Sequence, residues 1–258
     1  MERNILLTIE YDGSGFHGWQ RQPQVRTVQG ELEKVLTHIC GIPVALNGTS
    51  RTDAGVHALG QRASFKGDFG IPADRIPLAV NNLLAGGASA QNGVGDVRII
   101  SAEEVPADFH ARFSSRGKMY RYIIRNLPEV DIFKRHYCYQ ICQPLDLAAM
   151  KQAAEYIAGT HDFRCFQAAG GQERETTVRT IHSLSIQKVS ENIIIEVSGD
   201  GFLYNMVRII AGTLAEVGMG KKNPEDVIEI IESGDRQKAG HTAPPGGLYL
   251  IEVYSCLL

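Results

Sequence analysis

The apolar residues of this chain change period repeatedly, from every second residue to every third or fourth and back, and that order leaves few folds open. Asn4 to Tyr11 alternates, with Ile5, Leu7 and Ile9 on one side, and predicts a strand that Asp12-Gly13-Ser14-Gly15 ends. Thr27 is placed to cap a helix with the stripe Val28, Leu32, Val35, Leu36 and Ile39, closed by Gly41-Ile42-Pro43. Val44 to Asn47 reads as a short strand, Gly48 to Gly55 as a polar loop bounded by glycines, and Val56 to Phe65 as a strand. Pro72 to Leu84 reads as a helix, a loose Ala85-to-Ser89 stretch follows it, and Val94 to Ser101 reads as a strand. The order β-α-β-β-α-β is that of a ferredoxin-like split unit, whose sheet commonly binds RNA.

From Pro106 onward strands and helices recur in similar number. Met119 to Ile124 predicts a strand, and Asp146 caps a helix to about Ala158 with the stripe Leu147, Met150, Ala154 and Ile157. Ile181 to Val189 and Ile193 to Val197 form an expected hairpin around Ser190-Glu191-Asn192. Tyr204 to Val217 has helical spacing, and Asn223-Pro224-Glu225-Asp226 reads as a cap, a proline at the first position and acids in the first turn of another helix. Pro244-Pro245-Gly246-Gly247 is expected to be irregular, and Leu248 to Val253 to close the chain as a strand. An α+β protein is therefore expected, with a ferredoxin-like domain over residues 1–105 and a second domain of similar element content over residues 106–258. No low-complexity linker separates them, so they are expected to pack into one body.

Apolar residues make up 43% of 258, enough for a sizeable core, which excludes disorder and collagen. No apolar run approaches the ~20 residues that span a bilayer, and Met1-Glu2-Arg3-Asn4 leads into no signal-like segment, so a cytoplasmic protein without membrane contact is expected. The cysteines Cys40, Cys138, Cys142, Cys165 and Cys256 are odd in number and include no CxxC, which favours free thiols. Cys138 and Cys142 are answered by no His or Cys pair at zinc spacing, so no metal is expected. The net charge of −3 hides an asymmetry. Residues 106–136 carry seven Lys/Arg (Arg112, Arg116, Lys118, Arg121, Arg125, Lys134, Arg135) against three acids, and residues 190–235 nine acids against three bases. Such a belt steers a polyanion to one face; a solvated strand face accounts for it equally well.

Four segments are candidates for chemistry. In Gly48-Thr49-Ser50-Arg51-Thr52-Asp53-Ala54-Gly55-Val56-His57-Ala58 an Arg and an Asp share a loop between strands, where catalytic groups tend to lie; an ordinary turn in which Asp53 bonds nearby amides has the same composition. Phe109-His110-Ala111-Arg112-Phe113-Ser114 and Lys118-Met119-Tyr120-Arg121-Tyr122 interleave cations with aromatics, as RNA recognition requires and as an amphipathic strand also does. Arg208 interrupts an apolar helix, so it either meets a carboxylate or reaches to the surface. Gly246-Gly247 precede the last strand and permit close approach to its backbone.

Together these segments resemble the bacterial tRNA pseudouridine synthase A family. The likeness runs in order through Glu10-Tyr11-Asp12-Gly13, Gly18-Trp19-Gln20-Arg21-Gln22, Arg51 to Ala58, Phe109 to Phe113, Tyr120-Arg121-Tyr122, Met206-Val207-Arg208 and Gly247-Leu248-Tyr249-Leu250. Ser50 departs from it, since many members carry Gly there. The resemblance implies an isomerase that turns uridine into pseudouridine at positions 38, 39 and 40 of the tRNA anticodon stem-loop. It implies a homodimer without metal or organic cofactor. It implies two ferredoxin-like halves sharing a continuous, mainly antiparallel sheet, with an RNA-binding cleft between them. Asp53 is then the catalytic carboxylate and expected nucleophile, with Arg51 and Arg208 around it, and Tyr120 meets the target uracil. Leu248 is the expected apolar wall; Arg21, Arg112, Arg116, Lys118 and Arg121 are expected to hold phosphates.

Breaking the N1–C1′ bond of uridine develops positive charge on the sugar, which a carboxylate stabilises or traps. Attack on the sugar, attack on the base and removal of a sugar proton all remain compatible with one carboxylate. Two other classes stay open at this stage. A non-catalytic RNA-binding protein shares the basic and aromatic residues but has no use for Asp53. A nucleoside or sugar hydrolase usually needs a second carboxylate, which residues 48–66 do not supply.

Overall fold

The computed structural model describes residues 2–86, 94–171 and 175–255. Cys256 and part of the Ala85-to-Ser89 stretch lie outside the described residues. The chain forms two compact units: one takes the chain up to Arg116 and again from Leu250 onward, the other spans Gly117–Tyr249. The expected division at 105/106 falls elsewhere. Residues after Pro106 stay with the first unit because Asn4 Nδ2 donates to the carbonyls of Pro106 and Phe109, both at 2.8 Å, and Ser64 Oγ accepts from the Ala111 amide at 3.1 Å.

In the first unit, β1 (Arg3–Tyr11) is followed by α1 (Val28–Cys40), β2 (Asn47–Gly48), β3 (His57–Gly67), α2 (Ile76–Leu84) and β4 (Val97–Glu104). The sheet order is β4-β1-β3 with β2 on β3, antiparallel throughout. The expected inward residues of β1, Ile5, Leu7 and Ile9, are fully buried. Leu6, on the opposite face, is buried too, in a small cluster with Phe109 and Ala111. Thr27 caps α1 through the Gly30 amide, and Gly41 ends it at φ 68°.

Three expectations in this unit shift. Val44 to Leu46 is not a strand, because side chains of α1 take its backbone groups: Thr37 Oγ1 accepts from Val44 N, Glu33 Oε1 accepts from Leu46 N, and Gln29 Nε2 donates to Leu46 O. Only Asn47 and Gly48 reach the sheet. Residues Ala73–Arg75 form a 3-10 turn ahead of α2. The last strand of the pair begins at Val97, since Asp96 O is taken by the Asp12 amide and its carboxylate by Arg26.

The second unit holds β5 (Ser115–Arg125), whose first two residues belong to the other unit, then β6 (Tyr139–Gln140), α3 (Leu147–Ile157), β7 (Gly159–Asp162), β8 (Val178–Val189), β9 (Asn192–Gly199), α4 (Met206–Gly218) and α5 (Asp226–Ser233). β10 (Leu248–Ser255) passes from the second unit back into the first. The order β5-β9-β8-β7 is antiparallel, and β6 pairs parallel to β5 over two residues. β6 and β7 are too short to carry a visible period. The hairpin turns at Ser190, whose φ is 54°. α4 begins two residues later than its apolar spacing suggests, because Asn205 sits in the left-handed region at φ 59°. The proline-led start of α5 is a turn closed by three-residue backbone bonds, with the Asp226 carboxylate accepting from Asn223 N at 2.7 Å. Pro245–Gly247 forms a 3-10 turn rather than an irregular run.

The basic belt is partly neutralised by the acidic stretch. Arg121 pairs with Glu196, its register partner on β9, while Arg125 and Lys134 both meet Glu191. Cys40, Cys138, Cys142 and Cys165 are free thiols. Burial pushes the Cys165 thiol up to about 11, which keeps it protonated and unreactive. Among the described residues no helix is long and apolar enough to cross a membrane.

Candidate functional site

The loop between β2 and β3 is fastened to the first unit through Thr49, Ser50, Thr52 and Gly55. Thr49 N donates to Arg62 O at 2.9 Å and Thr49 Oγ1 to Ala111 O at 3.0 Å. Ser50 is gripped from both sides by the fully buried Gln61, whose Oε1 accepts from Ser50 N and whose Nε2 donates to Ser50 O at 2.7 Å. Thr52 O accepts from Trp19 N at 3.0 Å, and Thr52 Oγ1 bonds the Tyr11 hydroxyl at 2.7 Å. Gly55 N donates to Phe16 O, and Val56 N to Asp53 O, which closes the turn through the backbone of Asp53.

Asp53 and Arg51 project from this frame: Arg51 is exposed and Asp53 partly buried. The frame depends on glycine where chains touch. A Cβ on Gly18, at φ +87°, would lie 2.6 Å from Thr52 O, and one on Gly13 only 1.9 Å from Val56 O. His57 is structural: its Nδ1 accepts from the Gly13 amide at 3.1 Å. Gln61 is the residue that sequence reasoning missed. Its signal is an amide at an inward β3 position shared with Ala63 and Phe65.

The second unit carries Tyr120, Arg208 and Leu248. Tyr120 lies on β5 opposite Val197 and packs edge-on against Phe202, with ring centroids 5.2 Å apart at 86°. Lys118 shares its strand face; Arg121 is on the other face, with Nε and Nη2 both on Glu196 Oε1 at 2.9 and 2.7 Å. The Arg208 guanidinium donates Nε to Ala243 O at 2.7 Å and Nη1 to Asn205 Oδ1 at 2.8 Å. Leu248 opens β10 and is 6% exposed.

The close approach expected at Gly246-Gly247 is made by the protein itself. A Cβ on Gly247 would lie 2.7 Å from Tyr122 Cζ, and one on Gly246 2.4 Å from His136 O. Tyr122 is fully buried and donates its hydroxyl to Pro244 O at 2.7 Å, and burial pushes its phenol far above the usual tyrosine range. It is a structural tyrosine. Tyr122→Phe is expected to cost about 1 kcal/mol in urea unfolding, the worth of one buried hydrogen bond, with turnover unchanged.

The remaining cations lie at the surface of the first unit. Arg21 reaches Glu33 Oε2 at 3.0 Å, with its own amide on Gln29 Oε1. Arg112 and Arg116 are exposed, and Arg112 lies 5.8 Å from the Phe113 ring centre. Among the described residues no group of three or more His, Cys, Asp or Glu could hold a metal ion.

A family model described as tRNA pseudouridine synthase matches residues 7–114 and 153–254. A protein of Ruminiclostridium cellulolyticum named tRNA pseudouridine synthase A is 49% identical over 253 residues, covering 98% of this chain and 99% of that protein. One of the same name from Acetivibrio thermocellus is 47% identical over 252 residues, with the same coverage. Among solved structures there is a weak likeness to the crystal structure of a Cbf5-Nop10-Gar1 complex, with TM-score 0.36, 8% identity, 95% of this chain and 57% of that one, which supports no argument. Matched by the family model over both units and by full-length relatives at nearly half identity, the chain belongs to the tRNA pseudouridine synthase family.

Proposed function

We infer that this chain isomerises uridine to pseudouridine at positions 38, 39 and 40 of the tRNA anticodon stem-loop. Family membership supports the reaction class. The observation that carries the assignment of the site is the Asp53 loop, in which a partly accessible carboxylate stands on a frame fixed at Thr49, Ser50, Thr52, Gly55 and Val56. A loop of rigid backbone and one projecting acid is what positioning a reactive group requires.

In this reading the Asp53 carboxylate attacks C1′ as the N1–C1′ bond breaks. The uracil turns, C5 bonds to C1′ and displaces the carboxylate, C5 loses its proton and N1 gains one. Product and substrate are isomers, so no oxidant, reductant or second substrate enters the balance. Neither a metal nor an organic cofactor is part of the proposal. Arg51 and Arg208 supply the positive charge that favours an ionised carboxylate. The target base leaves its stack, and Tyr120 offers it an aromatic face, with Leu248 as an apolar wall. Arg21, Arg112, Arg116, Lys118 and Arg121 take phosphates, Arg21 and Arg121 by exchanging Glu33 and Glu196 for RNA. The proposal includes a homodimer working in the cytoplasm.

The test is an unmodified tRNA transcript incubated with the protein and mapped by carbodiimide-dependent primer stops. Stops at nucleotides 38 to 40 are expected, and they should persist in EDTA. Stops confined to other positions, or none, overturn the reading.

A further inference from the structure

Phe113 is 77% exposed, yet it sits on a loop tied by several hydrogen bonds. The Phe113 and Ser114 amides both donate to His110 O, and Ser114 Oγ accepts from His110 N at 3.3 Å. Arg112 N donates to His110 Nδ1 at 3.2 Å. The loop is fastened to the sheet through Ala111, whose amide donates to Ser64 Oγ and whose carbonyl accepts from Thr49 Oγ1. Thr49 begins the segment that carries Asp53, so the loop of Phe113 and the loop of Asp53 share a hydrogen bond. The backbone that carries the ring is fixed, and a ring this exposed buries little surface and so adds little to the fold.

The surroundings of the ring indicate its ligand. The His110 imidazole supports it at a centroid distance of 4.5 Å, and the Arg112 guanidinium stands 5.8 Å from its centre. An exposed aromatic on a fixed backbone, with an imidazole beside it and a cation near it, is the arrangement that takes an unstacked nucleobase with its phosphate. An apolar protein partner has no need of the cation, and a phosphate alone has no need of the ring.

We propose that Phe113, backed by His110 and flanked by Arg112, is a stacking subsite for an unpaired base of the bound RNA, distinct from the target uracil. It rests on the reading of the chain as an RNA-modifying enzyme. The test compares wild type with Phe113→Ala, Phe113→Leu and Phe113→Trp for binding to an unmodified tRNA transcript. Phe113→Ala and Phe113→Leu should weaken affinity roughly 5- to 100-fold, the range of one lost base–aromatic contact, and Phe113→Trp should restore it. The fluorescence of the introduced tryptophan should be quenched by tRNA and not by a fully paired RNA duplex. Because the ring is exposed, thermal midpoints should stay within about 2 °C of wild type. Affinity as tight with Leu or Ala as with Phe, or quenching equal with duplex, overturns the subsite. Pseudouridine mapping on the wild type separates the two claims: stops at 38 to 40 with an indifferent Phe113 sink the subsite alone, and a quenched tryptophan without stops sinks the reaction alone.

Discussion

Asp53→Asn should lose at least about a thousandfold in kcat, the usual scale for removing a group that reacts covalently, while binding tRNA within about twofold of wild type. The substitution keeps the shape of the side chain and removes its charge and nucleophilicity. The turn closure between Asp53 O and Val56 N uses backbone atoms, which the substitution leaves in place. Further anchors lie on Thr49, Ser50 and Thr52. Single-turnover pseudouridine formation and filter binding on the same preparation give the two numbers. Turnover within tenfold of wild type would exclude the carboxylate role. A protein that only binds RNA would be indifferent to the change in every assay, and a hydrolase would release free uracil from wild type.

What could be read before the fold was known followed from the length of each signal. Helices α1, α3 and α4 announce themselves because three or more turns of apolar stripe are long enough to stand out, and Thr27 and Asp146 mark two of the starts with side-chain caps. Val44 to Leu46 was legible as apolar but not as non-strand, since what diverts its backbone is Thr37, Glu33 and Gln29, up to seventeen positions away. The charge asymmetry was visible, but its cancellation was not. Arg121 meets Glu196 only through the β5–β9 register, which no local pattern encodes. For the site, Arg51 and Asp53 stood out as charges in a glycine-bounded loop. Gln61 did not, because its role is a tertiary bond to Ser50. Composition and spacing do not tell Tyr120 from Tyr122; the family resemblance alone singled out Tyr120. In the fold the Tyr120 ring is edged against Phe202, and that of Tyr122 lies beneath Gly247.

Trp19 is expected to be the most costly apolar truncation beside the Asp53 loop. It is 1% exposed, lies 6.1 Å from the Tyr11 ring, and sends its amide to Thr52 O. Trp19→Ala should destabilise by about 3–5 kcal/mol, since the ring leaves a cavity that a frame so heavily hydrogen-bonded cannot collapse to fill. The claim has a sharper form, because the indole occupies the space where a side chain on Gly48 would go: a Cβ there would lie 2.3 Å from Trp19 Nε1. Gly48→Ala should therefore cost about 1–3 kcal/mol in wild type, as overpacking against a rigid ring. In the Trp19→Ala background the same methyl enters the vacated volume, and its cost should vanish or change sign. A double-mutant cycle by urea unfolding would then show a coupling of about 1–3 kcal/mol in the stabilising direction. Additive losses would mean that the indole does not define the floor of the loop. If the cycle couples as expected, turnover should follow it. Asp53 is placed by the same backbone that rests on Trp19, so single variants that disturb the floor should lower kcat more than they weaken tRNA binding.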